Sequence, residues 1–259
     1  MDTQVVLCDI NDGLAVVSIN NPPVNALTDT VMSELDTVID ELAGNNSVQV
    51  IIVTGAGEKA FVAGADIKQF PYLDASSGKE LVQRGQKIFS KLRDLKQPVI
   101  AAMHGFAFGG GCELGLASDI RIASENLQIG LPEVSLGIIP GYGGTQRLPR
   151  LVGPGRAMAM ICSGDPIKAE EAFRIGLIDK VVPTGEQLNE AKTLARKIMS
   201  RGPLAVQAAK KAIHTGLEMS LDEGISLEAG LFGGLCDSED QKEGAAAFLA
   251  KRKPDFKGK

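Results

Sequence analysis

Val99-Ile100-Ala101-Ala102-Met103-His104-Gly105-Phe106-Ala107-Phe108-Gly109-Gly110-Gly111-Cys112-Glu113-Leu114-Gly115-Leu116-Ala117 is the longest apolar-looking run of the chain. Residues 99–103 read as a buried strand, and Pro98 stops the helix before it. The run is not a membrane span, because His104, Glu113 and five glycines within it would be costly in lipid. Glycines lacking side chains instead let a bound carbonyl approach backbone N–H groups closely, and a carboxylate one helical turn later reaches the atoms beside that carbonyl. A second carboxylate follows 20 residues on, in Leu131-Pro132-Glu133. Glu113 and Glu133 are therefore the candidate acid/base pair, and their setting suits enolate chemistry.

Outward from this run, strand, helix and strand recur. Residues 5–9 and 14–19 read as two strands joined by Asn11-Asp12-Gly13, a short hairpin signal. Asn20-Asn21-Pro22-Pro23 breaks the second strand, and Thr28 caps a helix whose apolar positions Val31, Met32, Leu35, Val38, Ile39 and Leu42 follow the 3.6 period to Gly44. A buried strand over 48–54 comes next, then a glycine-rich turn, a loop over 60–77 and a helix to about residue 95. Residues 120–123 and 128–130 read as further short strands, and from about residue 154 the periodic segments are nearly all helical. The class is α/β with a helical C-terminal third.

A chain of 259 residues buries enough surface to fold without disulfides or structural metal. Its net charge of −5 and pI near 5.2, with no Trp and only two Tyr, disfavour nucleic acid and anionic membranes as partners. The marked basic cluster is Lys251-Arg252-Lys253 with Lys257 and Lys259, which by itself reads as a solvated end. Cys8, Cys112, Cys162 and Cys236 are widely spaced without a C-x-x-C, and Met1-Asp2-Thr3-Gln4 opens without a basic or apolar leader, so a reducing, cytoplasmic setting is expected.

Rival motifs fail on context. Gly55-Ala56-Gly57-Glu58-Lys59-Ala60 has the spacing of a dinucleotide fingerprint after a strand, but Phe61-Val62-Ala63-Gly64-Ala65-Asp66 reads as extended rather than helical, and no strand ending in an acid follows where a ribose needs it. There is no G-x-S-x-G elbow, and two isolated histidines, His104 and His214, do not make a zinc site; His104 reads as structural and His214 as exposed. The bland reading of Glu113 is a helical carboxylate paired with an arginine, and that of Glu133 a carboxylate favoured by a helix N-terminus. Gly110, Gly111, Leu114, Gly115 and Leu116 around Glu113 are too apolar for a solvated face, which flags a perturbed pKa and a functional group.

Several ordered motifs resemble the enoyl-CoA hydratase/isomerase (crotonase) family, and most nearly its bacterial fatty-acid β-oxidation hydratases. They are Asn21-Pro22-Pro23-Val24-Asn25-Ala26-Leu27, Ala63-Gly64-Ala65-Asp66-Ile67-Lys68, the stretch from His104 to Glu113, Leu131-Pro132-Glu133, and Gly137-Ile138-Ile139-Pro140-Gly141-Tyr142-Gly143-Gly144-Thr145-Gln146-Arg147-Leu148. The tail from Gln241 to Phe256 is similar to that family's C-terminal helix. The resemblance implies a crotonase-like ββα spiral core over 1–200 and a C-terminal helical region over 201–259 that mediates trimerisation, with two trimers often stacking into a hexamer.

It also implies an acyl-CoA thioester as substrate and no metal or redox cofactor, coenzyme A being part of the substrate. The oxyanion hole would be the backbone N–H groups of Ala65 and Gly110. Glu113 would orient and deprotonate water, Glu133 would protonate C2, and the Gly141 N–H would help hold the water. Val24, Ala26, Ala63, Ala65, Asp66, Ile67 and Lys68 would line the CoA path, with Phe232 and Lys251 reaching it across a subunit boundary. Family members that only move a double bond manage with one carboxylate, so both glutamates favour hydration of a trans-2-enoyl-CoA over isomerisation. A silent or RNA-binding relative of the same fold is disfavoured by the acidic charge and the intact pair. Tyr142 replaces a small residue found in some relatives and leaves the acyl-chain preference open.

Overall fold

The computed structural model describes residues 4–259; residues 1–3, part of the opening weighed above as a leader, lie outside them. The chain begins with the expected hairpin, β1 (Val6–Asn11) and β2 (Leu14–Ile19), paired antiparallel. Helix α1 (Asp29–Gly44) starts where Thr28 accepts a hydrogen bond from the Val31 N–H, and it buries Val31, Met32, Leu35, Ile39 and Leu42.

Three successive turns of chain then each place one strand in each of two sheets. β3 (Val50–Gly55) is followed by β4 (Ala60–Ala63) and α2 (Ala75–Asp94); β5 (Val99–Met103) by β6 (Phe106–Phe108) and α3 (Gly110–Leu116); β7 (Ile120–Ser124) by β8 (Gln128–Gly130) and α4 (Gly144–Val152). α5 (Pro154–Ser163), β9 (Ile167–Lys168), α6 (Ala169–Arg174), β10 (Lys180–Val182) and α7 (Gln187–Met199) complete the core, and α8 (Pro203–Gly216), α9 (Leu221–Cys236) and α10 (Glu239–Leu249) end the chain. The larger sheet runs β1-β2-β3-β5-β7-β10 and the smaller β4-β6-β8-β9. β2 through β10 pair parallel in the first, and β4, β6 and β8 parallel in the second. This is the ββα spiral that the resemblance implies.

The central strands β3 and β5 of the larger sheet are buried on both faces, which is why they read as continuous apolar runs rather than alternating ones. Ile51 and Val53 join the main core under α1 and α2, whereas Val50, Ile52, Ile100 and Ile122 pack against Ala191 and Ala195 of α7.

Three expectations need correction. The segment expected as loop contains β4 and a 3-10 turn at Ile67–Tyr72, and the segment expected as nearly all helix contains β9 and β10. These strands have two to four residues, too few for a periodic signal, and pairing with neighbours defines them. His214 is not simply exposed either. Its Nε2 lies 2.6 Å from Asp119 Oδ1, while Lys210 Nζ lies 2.8 Å from Oδ2, so the α3–β7 turn is joined to α8 by charge. Burial pushes the Asp119 carboxyl up, but the His214 and Lys210 interactions outweigh it and hold it below the usual range.

Candidate active site

The glycine stretch folds as it does because no side chain fits. Gly109 takes φ +52° just before α3, and a Cβ there would stand 2.9 Å from Glu133 Oε1. At Gly111 a Cβ would collide with the Val62 carbonyl oxygen, so α3 lies directly on β4. All seven residues of α3 are buried, Glu113 among them.

At 1% exposure, Glu113 does not use an arginine as its partner. Its Oε1 accepts the backbone N–H groups of Tyr142 and Gly144, each at 2.7 Å, and its Oε2 accepts no hydrogen bond among the described residues. Arg147 acts one step removed, donating to the Tyr142 carbonyl oxygen at 2.7 Å and so holding the loop that grips the carboxylate. Burial pushes the Glu113 pKa up to about 7, with the Glu133 charge adding to the rise and the Gly144 and Tyr142 N–H bonds and Arg147 opposing it.

Glu133 lies in the first turn of a 3-10 segment, Pro132–Leu136, at the end of β8. Its pKa is also raised, by burial, against a bond from its own N–H. Its Oε2 is buried without a hydrogen-bond partner among the described residues, an orphan acceptor that a protonated carboxyl and a bound molecule would relieve. Both carboxyls are thus shifted upward, and the Glu133 charge contributes to the rise at Glu113.

Two residues of the cleft lining, Ala65 and Gly110, carry backbone N–H groups without an acceptor among the described residues. Leu27 bridges Ala65 in parallel fashion, its N–H donating to Gly64 O and its carbonyl accepting from Asp66 N, which leaves the Ala65 N–H on the opposite side. The Gly110 N–H is at the first position of α3, where no intrahelical acceptor exists. Neither donates to an acceptor among the described residues. Ala63, Ala65, Ile67, Gly110, Glu113, Glu133 and Gly141 all line one cleft of about 690 Å³, partly continuous with solvent. The rest of that lining is apolar, including Phe70, Leu81, Val82, Leu136 and Ile139.

The other sequence candidates lie outside the lining of this cleft. Val24 and Ala26 flank the Asn25 turn, with Val24 O accepting from Ala63 N; Asp66 caps the 3-10 turn over Lys68. Phe232 is 70% exposed on α9, and Lys251 is exposed at φ +52° beyond α10. Sequence reasoning missed the backbone grip of Tyr142 and Gly144 on Glu113, Arg147 behind it, and Asn25, whose Nδ2 donates to Ala56 O and Ala60 O. The N–H grip has no side-chain signature, though Asn25 and Arg147 stood inside quoted motifs. Among the described residues, no three His, Cys, Asp or Glu side chains group as metal ligands do, and no helix is long and apolar enough to cross a membrane. All four cysteines are free thiols.

Comparison with known proteins gives the same picture along the whole chain. The sequence model of a family described as enoyl-CoA hydratase/isomerase matches residues 9–259. A short-chain-enoyl-CoA hydratase of Clostridium acetobutylicum is 47% identical over 98% of this chain and 97% of its own length. A crotonyl-CoA hydratase of Syntrophomonas wolfei is 46% identical, covering 99% of each chain. Among solved structures, enoyl-CoA hydratase from Bacillus anthracis superposes with a TM-score of 0.95 at 41% identity, covering 99% of this chain and 100% of that one.

Proposed function

The chain belongs to the enoyl-CoA hydratase/isomerase family and is an enoyl-CoA hydratase, and we propose that Glu113, Glu133 and the N–H groups of Ala65 and Gly110 carry out its reaction. The observation that supports this assignment is the meeting, in one cleft, of two carboxyls with raised pKa values and two unpartnered backbone donors.

Adding water to a 2-enoyl thioester builds negative charge on the thioester oxygen as oxygen bonds to C3. Donors already aimed at that oxygen stabilise the charge without reorganising, and removing one such donor typically costs roughly 3–4 kcal/mol of barrier. The Gly110 donor gains further from its place at a helix N-terminus. Glu113, three residues on, stands about 4.5 Å further along the helix axis, a rise suited to C3 while Gly110 holds the oxygen. With Oε1 held by two N–H groups, Oε2 is free to take a proton from water as its oxygen bonds to C3. Protonated Glu133 gives its proton to C2, the C2–C3 double bond becomes single, and one proton passing from Glu113 to Glu133 resets the pair. The Gly141 N–H in the same lining is suited to hold the attacking water. The scheme calls on no resident metal or redox group.

Isomerisation needs one carboxylate to carry a proton between C2 and C4, whereas hydration also needs a station for water, which Glu113 supplies. We expect kcat/KM for crotonyl-CoA hydration to exceed that for 3-enoyl-CoA isomerisation. Faster isomerisation would overturn hydration as the main activity and leave the oxyanion hole standing.

The CoA portion is assigned to Val24, Ala26 and the 65–68 segment, joined by Phe232 and Lys251 from a neighbouring subunit of a homotrimer or a hexamer of two trimers built through residues 201–259. Exposed apolar side chains on the C-terminal helices, Leu217, Leu221 and Phe248 among them, support such an assembly. Four free thiols fit a cytoplasmic setting.

A further inference from the structure

Asn25 is a polar side chain only 3% exposed, and it lies outside the lining of the cleft. Its Nδ2 donates to Ala60 O at 2.8 Å, Ala56 O at 2.9 Å and Phe61 O at 3.3 Å, and its Oδ1 accepts the Asn21 N–H at 3.1 Å. Two amide hydrogens thus serve three carbonyls, one in the β3–β4 connection and two on β4 itself. Gly55 makes room for the amide, since a Cβ there would stand 2.8 Å from Asn25 Nδ2. The residue sits at φ +58°, in the left-handed region that Asn tolerates better than most side chains. From β4 the backbone reaches both donors of the oxyanion hole. On one side, the turn that carries Asn25 pairs with the segment after β4: Val24 O accepts Ala63 N at 3.0 Å, Leu27 N donates to Gly64 O at 2.8 Å, and Leu27 O accepts Asp66 N at 3.3 Å, so Ala65 is held through both of its neighbours. On the other side, the Val62 carbonyl of β4 meets Gly111 so closely that no Cβ fits, which seats Gly110 and the start of α3 on the same strand.

We infer that Asn25 is a positioning residue for the oxyanion hole: by clamping β4 to the turn over residues 21–28 it sets the spacing of the Ala65 and Gly110 N–H groups without touching the substrate. This rests on the oxyanion reading above and adds the side chain that keeps its two donors in register. A thioester oxygen gains from both donors only while both lie within hydrogen-bonding distance of one point, so a displacement of about 1 Å in either forfeits much of the stabilisation. A purely structural amide would change stability alone, whereas a positioning amide changes how the bound carbonyl is polarised.

The test uses the purified full chain as wild type, as Asn25→Gly, which keeps the positive φ and deletes the amide, and as Asn21→Ala, which loosens the same turn more mildly by removing the bond from Asn21 Nδ2 to Ala26 O. Gln97→Ala serves as the control, since it deletes another buried amide, one that donates to Leu42 O away from the cleft. Three quantities are read: kcat on crotonyl-CoA, the infrared stretch of the carbonyl in bound butyryl-CoA carrying a carbon-13 label there, and the Kd of S-butyl-CoA, a thioether with no carbonyl. Asn25→Gly should lower kcat at least about tenfold and return the stretch toward its frequency in water, with the thioether Kd unchanged within about twofold. Asn21→Ala should shift the stretch in the same direction by less, and Gln97→Ala should leave all three at wild-type values. A folded Asn25→Gly with wild-type kcat and stretch overturns the inference, as does an unshifted stretch in Asn21→Ala, an equal loss in Gln97→Ala, or thioether binding weakened as much as thioester binding. A wild-type stretch no lower than in water overturns the oxyanion reading itself, which separates the two failures.

Discussion

At Glu113, burial and hydrogen bonding oppose each other, and burial prevails: two N–H bonds at 2.7 Å do not prevent a pKa of about 7 against a usual 4.5. The folded state therefore holds this proton more tightly than the unfolded one. The stability cost is absent below about pH 4.5, develops as the unfolded chain ionises, and is complete above pH 7. Replacing Glu113 by Gln removes the titration, so the stability of Glu113→Gln relative to wild type should rise by roughly 1–3 kcal/mol between pH 5 and pH 8. Urea midpoints at the two pH values check this, and a difference that does not change with pH would show that Glu113 ionises as it does in the unfolded chain. The burial of Glu113 was legible in sequence because its apolar and glycine neighbours rule out a solvated face. What grips Glu113 was not legible, because an N–H group looks the same in every residue except proline.

At the scale of the element, α3 is seven residues long and entirely buried, so tertiary packing rather than helix propensity sustains it. Gly109 makes its start possible. Gly109→Ala forces a side chain into φ +52° and against Glu133 Oε1, and should destabilise the protein by roughly 1–3 kcal/mol. It should also lower turnover on crotonyl-CoA more than tenfold by displacing Glu133, about what a mispositioned acid costs. Thermal unfolding and initial rates check the two parts separately, and wild-type values for both would show that the backbone there is not restrictive. The hairpin β1–β2, helix α1 with its Thr28 cap and strand β5 were all readable from turn signals, periodicity and a long apolar run. β4 and β6 were not, because Ala60–Ala63 and Phe106–Phe108 become strands only by pairing with each other at long range.

Across the whole molecule, the spiral places the Ala65 loop, α3 and the Glu133 turn around one cleft although they are far apart in sequence. The spiral itself was legible through the family resemblance, since composition and periodicity reach only α/β with a helical end. Phe232 and Lys251 lie away from the cleft of their own chain, and their assignment to CoA rests on a neighbouring subunit. Lys251→Ala should raise KM for the CoA substrate several-fold with little change in kcat, and the wild-type KM should be the more salt-sensitive of the two. An unchanged KM would mark the tail as solvated only. The central claim, that two glutamates flanking a backbone oxyanion hole add water to the enoyl thioester, is tested most directly by following loss of the enoyl-thioester absorbance of crotonyl-CoA with wild type, Glu113→Gln and Glu133→Gln. Each variant should remain folded and lose at least about 10²-fold in kcat, the lower end of what a positioned acid or base supplies. Near-normal turnover by either folded variant would contradict the claim for that residue.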